Sequence, residues 1–431
     1  MVSMATALGD RPVPGGPPAT ISRRQVAAAV IGNVLEFYDF TTYAFFAVQI
    51  GGAFFPGHTP FIRLMLSLAT FGAGFASRPL GAVVIGAYGD RAGRRPAMVL
   101  SFALMGLALL ALALTPDYAV IGPAAVVIVV LARLVQGFAL GGEVGPTTAF
   151  LLEAAPPARR GFYGGWQIGS QGLSILAAGL VGVGLSSLTD AAGLQNWGWR
   201  AAFLIGAAVL PFGLLIRLRL PETLHAPEAA PTVVAARGAG ARTHARTIVL
   251  GLACIMSLTT LTYVMTYMTT YAVTSLGMPP GVALASQVTI GAGIFVFNLL
   301  GGALSDRFGR KPMMIWPRLA LLAAIYPAFL LIVEFRSALV LLSVCGALAA
   351  LGGLSSTPSL VWLTESLPKG MRSAAVAVTY ATAVAVFGGT TQPIIAWLIH
   401  LTGDVMAPAW YLMAMTAVGV LVMTQMEETV V

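Results

Sequence analysis

Two carboxylates, Glu36 and Asp39, stand in VIGNVLEFYDFTTYAFFAVQIGG, residues 30–52, a stretch that otherwise reads as a membrane-crossing helix. An ionised acid in hydrocarbon costs several kcal/mol, so intramembrane acids face a bundle interior or a water-filled cavity and carry protons or pair with cations. Burial favours the neutral form of a carboxyl, and a guanidinium within about 4–6 Å favours the ionised form. An arginine that approaches and withdraws therefore makes an acid release and take up a proton. At about 1.5 Å of rise per residue, Asp39 stands roughly 21 Å from the start of its span. Arg133, in RLVQGFALGGEVGP, stands roughly 18 Å from the start of its own, so both lie near mid-bilayer. Asp39 is the expected proton carrier and Arg133 its switched partner. Glu36, one turn away, shares the same cavity as a coupling group, a brace for the pair or a substrate ligand.

Other polar side chains converge on the same depth. Arg78, in SRP, stands in the terminal half of its span and supplies charge for an anion or a gate. Gln167 and Gln171 are four apart and share a helix face, and Tyr263, Tyr267 and Tyr271 form another such stripe. Asn33, Asn298, Tyr380 and Gln392 complete a candidate substrate cavity. Hydroxyl and amide donors suit carboxylate oxygens, with Arg133 or Arg78 supplying charge. Tyrosines at helical spacing also serve packing and membrane interfaces, and that reading competes with ligand binding. Glu143, in GGEVGP, falls toward the cytoplasmic side as a gating acid. Arg318 reads as a structural arginine reaching for the interface.

These side chains need a membrane bundle to hold them. The 431 residues are 58% hydrophobic and 9% charged, with mean hydropathy +0.86, far too apolar for a soluble protein. Apolar runs of about 18 residues or more recur along the chain, each long enough as a helix to cross a core of about 30 Å. Period-2 alternation is not dominant, which argues against an outer-membrane barrel. The expected spans are 25–50, 62–87, 97–116, 120–154, 161–187, 199–220, 247–275, 281–304, 312–333, 337–366, 372–402 and 405–426. The net charge of +8 is explained by topology rather than by nucleic acid. With both termini cytoplasmic, eighteen of the 24 Lys and Arg fall in inner segments, against Arg63, Arg200 and Arg336 outside, the positive-inside bias. The fold class is therefore an all-α membrane protein of two six-helix bundles. Residues 1–24 form a disordered cytoplasmic tail, 25–221 the first bundle, 222–246 a Pro-, Ala- and Arg-rich linker, 247–426 the second bundle and 427–431 a cytoplasmic tail. The SRRQV motif reads as a positive-inside anchor rather than an export signal. Cys254 and Cys345 fall inside apolar spans and read as core residues, with no metal site implied.

The two halves repeat. GAYGDRAGRRPAM (86–98) matches GALSDRFGRKPMM (302–314), and FLLEAAPPARRG (150–161) echoes WLTESLPKGMRS (362–373). Repeats of this kind build secondary transporters with a substrate site at the repeat interface, and no GxxxxGK[ST] loop is present for ATP coupling. The doubled GxxxDRxGRRP loop resembles the signature of the major facilitator superfamily. GNVLEFYDFTTYAFFA, SRPLGAVVIGAYGDRAGRR, RLVQGFALGGEVGPTTAFLLE and YMTTYAVTSLGMP further resemble its metabolite:proton symporters. That resemblance implies a transporter rather than an enzyme, in a bacterial cytoplasmic membrane, acting as a monomer without a cofactor and driven by the proton gradient. It implies symport of protons with a small carboxylate such as citrate. The alternative is a zwitterion such as proline or betaine, and efflux is the minority reading. It also implies that Asp90, Arg91, Arg94, Arg95, Asp306, Arg307 and Arg310 form gating latches, with Glu153 and Glu365 as partners.

Overall fold

A computed structural model describes residues 23–92, 94–141, 151, 155–218 and 245–429. All regular structure among them is helical, as hydrocarbon requires of a chain whose backbone groups must be satisfied within each segment. Twelve crossings can be traced among the described residues. Span one is Arg23–Phe45 continued by Ala47–Phe54, and span two is Pro60–Ala76 continued by Arg78–Ala92. Spans three to six are Arg94–Leu114, Pro123–Gly141, Arg160–Leu188 and Trp199–Leu218. Spans seven to ten are Ala245–Thr274, Pro280–Phe308, Arg310–Phe335 and Ala338–Glu365. Span eleven joins Lys369–Ala383 to Gly389–Thr402 through a π-helical stretch, Val384–Gly388, and span twelve is Ala407–Thr424. Ten of the described helices are long and apolar enough to cross a membrane.

Local chemistry sets the helix ends. The Thr59 side chain accepts from the Ile62 amide with Pro60 in the first turn, and Ser337 caps span ten through the Val340 amide, each satisfying an amide that the helix leaves free. Span two breaks at Ser77 because Pro79 cannot donate to Phe75. The Ser77 hydroxyl then donates to the Leu134 carbonyl at 2.7 Å and ties span two to span four. The turn between spans eight and nine runs through Gly309 at φ +93°, which a side chain would resist. Span four, expected to run unbroken over 120–154, instead follows a short helix Tyr118–Ile121 and a turn at Gly122 (φ +60°). Its continuation beyond Gly141, which carries Glu143 and Glu153, lies outside the described residues.

Within spans one to six, one packs on five and six, three on four and six, and two on four; within seven to twelve, ten packs on eight and nine, and twelve on seven and nine. The two sets meet where span five lies along span eight and span two along span eleven, with additional contact of one on seven and five on ten. Adding six to each number exchanges five–eight with eleven–two, so these contacts follow the sequence repeat. Glycines let spans five and eight touch backbone to backbone. A Cβ on Gly172 would stand 2.6 Å from the Phe295 nitrogen and 2.8 Å from the Gly291 carbonyl oxygen. At the end of the bundle away from the termini, Phe61 of span two stacks on His400 of span eleven at 3.7 Å and 12°.

Candidate functional site

Asp39 and Arg133 lie in the same central layer, 1% and 0% exposed. Spacing alone puts them side by side; the structure interposes Gln136. The Gln136 amide nitrogen donates to Asp39 Oδ2 at 2.7 Å, and its carbonyl oxygen accepts from Arg133 Nη1 at 2.5 Å. A carboxamide has a donor on one side and an acceptor on the other, so it satisfies an acid and a guanidinium at once. Gln136 is one turn beyond Arg133, so the spacing in RLVQ was the available signal for it.

Aromatic rings hold the guanidiniums. Arg133 lies over Tyr43 at 4.3 Å, Phe40 at 4.4 Å and Phe71 at 5.3 Å. Arg78 lies over Phe75 at 4.4 Å and Phe40 at 4.6 Å. Both cations therefore share the Phe40 ring, in contacts worth about 2 kcal/mol when desolvated. Nε and Nη2 of each arginine, and Asp39 Oδ1, have no hydrogen-bond partner within the protein. A buried guanidinium keeps its charge, so these donors are suited to an anion entering between them. The second half contributes Tyr263, set edge-on to Phe75 at 5.3 Å and to Phe71 at 6.1 Å. It also contributes Tyr380, whose hydroxyl accepts from Gln171 Nε2 at 3.3 Å across the halves. Arg78 and Tyr263 pack on the same Phe75 ring.

The structure thus brings together Asp39, Arg133, Arg78, Gln171, Tyr263 and Tyr380, with Glu36 buried one turn from Asp39 on the same helix. Gln167 and Gln392 are buried with both side-chain polar atoms unpartnered. Asn33 and Asn298 are placed as braces. Asn33 donates to Ser170 Oγ at 2.6 Å and to the Gln167 carbonyl, joining spans one and five. Asn298 donates to the Ile294 carbonyl and accepts from Thr357, joining spans eight and ten. Tyr271 donates to the Val405 carbonyl at 2.7 Å toward the far end, and Tyr267 is buried in the aliphatic core.

A second constellation closes the end nearest the termini. Asp306 accepts from the Gly161 and Phe162 amides at 2.7 and 2.9 Å, so an acid of the second half caps the N-terminus of span five in the first, where the helix dipole favours negative charge. Arg310, fully buried, donates to Asp306 at 2.7 Å and to both Glu365 oxygens at 3.2 Å. Arg160 reaches Glu365 at 3.9 Å across the same boundary. The chain end joins in: the Glu428 carboxylate accepts from the Arg310 and Lys311 amides at 2.7 and 3.0 Å, and Thr429 donates to Glu365. Residues 427–429 are thus docked on the latch, a placement that composition gave no reason to expect. Arg307 and Arg91 are exposed. The side chains of Asp90, Arg94 and Arg95 lie outside the described residues, as do Glu143 and Glu153.

Two six-span halves, an interface of five on eight and two on eleven, and a polar layer at mid-depth define a secondary transporter rather than an enzyme. Residues 29–390 match the model of the Major Facilitator Superfamily, and the chain belongs to that family. It is 36% identical to a citrate-proton symporter of Klebsiella pneumoniae, over 90% of this chain and 88% of the relative. It is 33% identical to the alpha-ketoglutarate permease of Escherichia coli, covering 93% of each chain. It is also 32% identical to a proline/betaine transporter of Salmonella typhimurium, over 94% of this chain and 84% of the relative. A crystal structure of a D-xylose-proton symporter superposes with TM-score 0.77 at 19% identity, covering 93% of this chain and 96% of that one, a likeness of fold. The protein is therefore a multi-pass membrane transporter.

Proposed function

We propose that this transporter carries a small organic carboxylate, of the citrate or dicarboxylate class, into the cell together with protons. The observation that carries the reading is the pair of buried guanidiniums on Phe40, Arg133 and Arg78, whose free donors stand beside the Asp39–Gln136 pair. Two cations in one apolar layer suit a substrate with two or more carboxylates better than a zwitterion, whose ammonium group they would repel. Similarity to citrate-proton symporters and to the alpha-ketoglutarate permease supports the same reading. Proline and betaine remain the second reading because proline/betaine transporters match over most of the chain.

The chain acts as a monomer in a bacterial cytoplasmic membrane with both termini inside, and the proton gradient drives it without a cofactor. A substrate carboxylate takes the free donors of Arg133 and Arg78. Drawing Arg133 toward the substrate loosens its hold on Gln136, and Gln136 turns with it, so Asp39 loses its amide donor and takes a proton. The loaded centre is then close to neutral and passes through apolar surroundings at lower cost. Opening the end nearest the termini breaks the Asp306 cap and the Arg160–Glu365 contact, and release of substrate restores the charge on Asp39. Each net positive charge moved inward gains about 2.3 kcal/mol per 100 mV of membrane potential.

The experiment is internal pH in liposomes holding purified protein and a trapped dye, with citrate, dicarboxylates, shikimate, proline and betaine added outside in turn. Acidification with a carboxylate, lost in Asp39→Asn, is expected. Entry of radiolabelled substrate without acidification would remove the proton from the mechanism, and a response to betaine alone would replace the carboxylate by a zwitterion.

A further inference from the structure

Beyond span twelve the chain turns back onto the bundle. The Gln425 and Met426 amides donate to the Val422 and Met423 carbonyls, and Met426, 1% exposed, sinks into an apolar cluster with Met314, Trp362 and Leu363. That anchor places residues 427–429 against the start of span nine and the end of span ten. The buried Trp362 indole donates to the Glu427 carbonyl at 2.7 Å, and Thr429 donates to Glu365 Oε2 at 3.1 Å.

Span nine starts with no cap of its own. A helix start leaves its first four amides without an intrahelical partner; here these belong to Gly309, Arg310, Lys311 and Pro312. The Gly309 amide donates to the Ser305 carbonyl, and proline has no amide hydrogen. Arg310 and Lys311 remain, and Glu428 accepts from both, one carboxylate oxygen for each. A carboxylate is favoured there by the helix dipole. Gly309 gives it room, since a Cβ at that position would stand 3.3 Å from the Glu428 carboxylate.

The residue whose backbone Glu428 holds is the one whose side chain completes the latch. Arg310 donates to Asp306 and Glu365, and Asp306 caps span five of the opposite half through the Gly161 and Phe162 amides. Residues 427–429 themselves bond only to spans nine and ten among the described residues. We infer that Glu428 is a positioning residue for the closure between the halves: docked, it sets Arg310 and Glu365 so that Asp306 meets span five, and undocked, it lets that cap open. Glu428 is exposed while Arg310 is fully buried, so the dock is the part of the closure that water reaches. The role does not depend on which substrate is carried; it rests on the Asp306 cap being the contact that opens in the cycle.

The test is hydrogen exchange, read by mass spectrometry on the purified full-length protein in lipid nanodiscs, at the start of span five. Glu428 touches nothing there, so a change at Gly161 and Phe162 has to travel through the latch. Glu428→Gln is expected to speed exchange at these amides by about threefold or more, and Glu428→Asp, which keeps the charge, by less. Trp362→Phe removes a different bond to the same segment, is expected to act in the same direction, and replaces the glutamine variant should that one fail to fold. Asp306→Asn alone is expected to speed exchange further, and adding Glu428→Gln to it to change nothing more, because both act through one contact. Faster exchange confined to Arg310 and Lys311, with span five as in the wild type, would reduce Glu428 to a local cap and overturn the inference. So would additive effects in the double variant. Wild-type exchange at span five in Asp306→Asn as well would refute the Asp306 cap as the moving contact, whereas fast exchange in that variant alone would refute only the role of Glu428.

Discussion

Gln136 sits between an acid and a guanidinium, and its amide is the simplest side chain that satisfies both without a direct ion pair. A direct pair at this depth would be hard to separate, because breaking a buried pair costs about 3–5 kcal/mol. An amide bridge lowers that barrier, which suits a partner that must let go in every cycle. Gln136→Leu is expected to destabilise the protein by about 1–3 kcal/mol through the groups left unsatisfied. It should also cut uphill, proton-driven uptake far more than substrate exchange across equilibrated liposomes; equal losses of both would argue against a coupling role. Arg78 has a different task. Its Nε and Nη2 have no acceptor within the protein, so Arg78→Ala is expected to raise the KM for a carboxylate by about tenfold to a hundredfold, the worth of a charge-assisted hydrogen bond. Arg78→Lys should recover part of this, and an unchanged KM in the alanine variant would place the substrate elsewhere.

Among the elements, the latch and the glycine contacts act on turnover rather than on binding. Asp306 caps span five from the opposite half, so Asp306→Asn removes the charge from a cap that must open and reform. Slower exchange with substrate affinity changed less is expected, read from stopped-flow exchange beside equilibrium binding; lost affinity at normal turnover would contradict it. Span five touches span eight along its length because Gly172 leaves room for the opposite backbone. Gly172→Leu is expected to prevent close approach and abolish uptake, while the separate halves still insert and resist proteolysis; full uptake by this variant would show that the contact is dispensable. Within the first half, a Cβ on Gly137 would run into the Gly74 carbonyl, so spans two and four depend on glycine there for packing alone.

The whole molecule is fastened at both ends in this state. Near the termini, the latch joins Asp306, Arg310, Glu365, Arg160 and Glu428; at the far end Phe61 stacks on His400 and spans one and seven meet around a small cavity. Alternating access requires these closures to open in turn. Cysteines placed at Phe61 and His400 and joined by a short bifunctional thiol reagent are expected to stop uptake, with recovery on reduction. Cys254 and Cys345, both buried, leave such a reagent little else to find. Continued uptake by the cross-linked protein would mean that this end does not move.

Much of the fold was legible in the chain because hydrocarbon leaves few options: an apolar run of sufficient length must be a helix, and the doubled GDRAGRR and SDRFGRK loops mark two halves. The acids of span one and the arginine of span four were legible because a charge at mid-bilayer has to be there for a reason. Their surroundings were not, because which rings and amides meet them depends on how spans rotate against one another. Periodicity could suggest that Gln167 and Gln171 share a face, but only packing decided that Gln171 crosses to Tyr380 while Asn33 and Asn298 are spent on bracing neighbouring spans. The docking of Glu428 on span nine was hidden for the same reason, since a carboxylate near a chain end carries no trace of the helix terminus it will cap. Sequence by itself determined the membrane bundle, its repeat and the buried charges of spans one and four, through hydropathy and the cost of desolvation, but not Arg318, which was expected to reach for the interface and is fully buried. Tertiary structure alone decided that an amide stands between Asp39 and Arg133 and that Arg133 and Arg78 share Phe40, because short-range contacts exist only once the helices have packed.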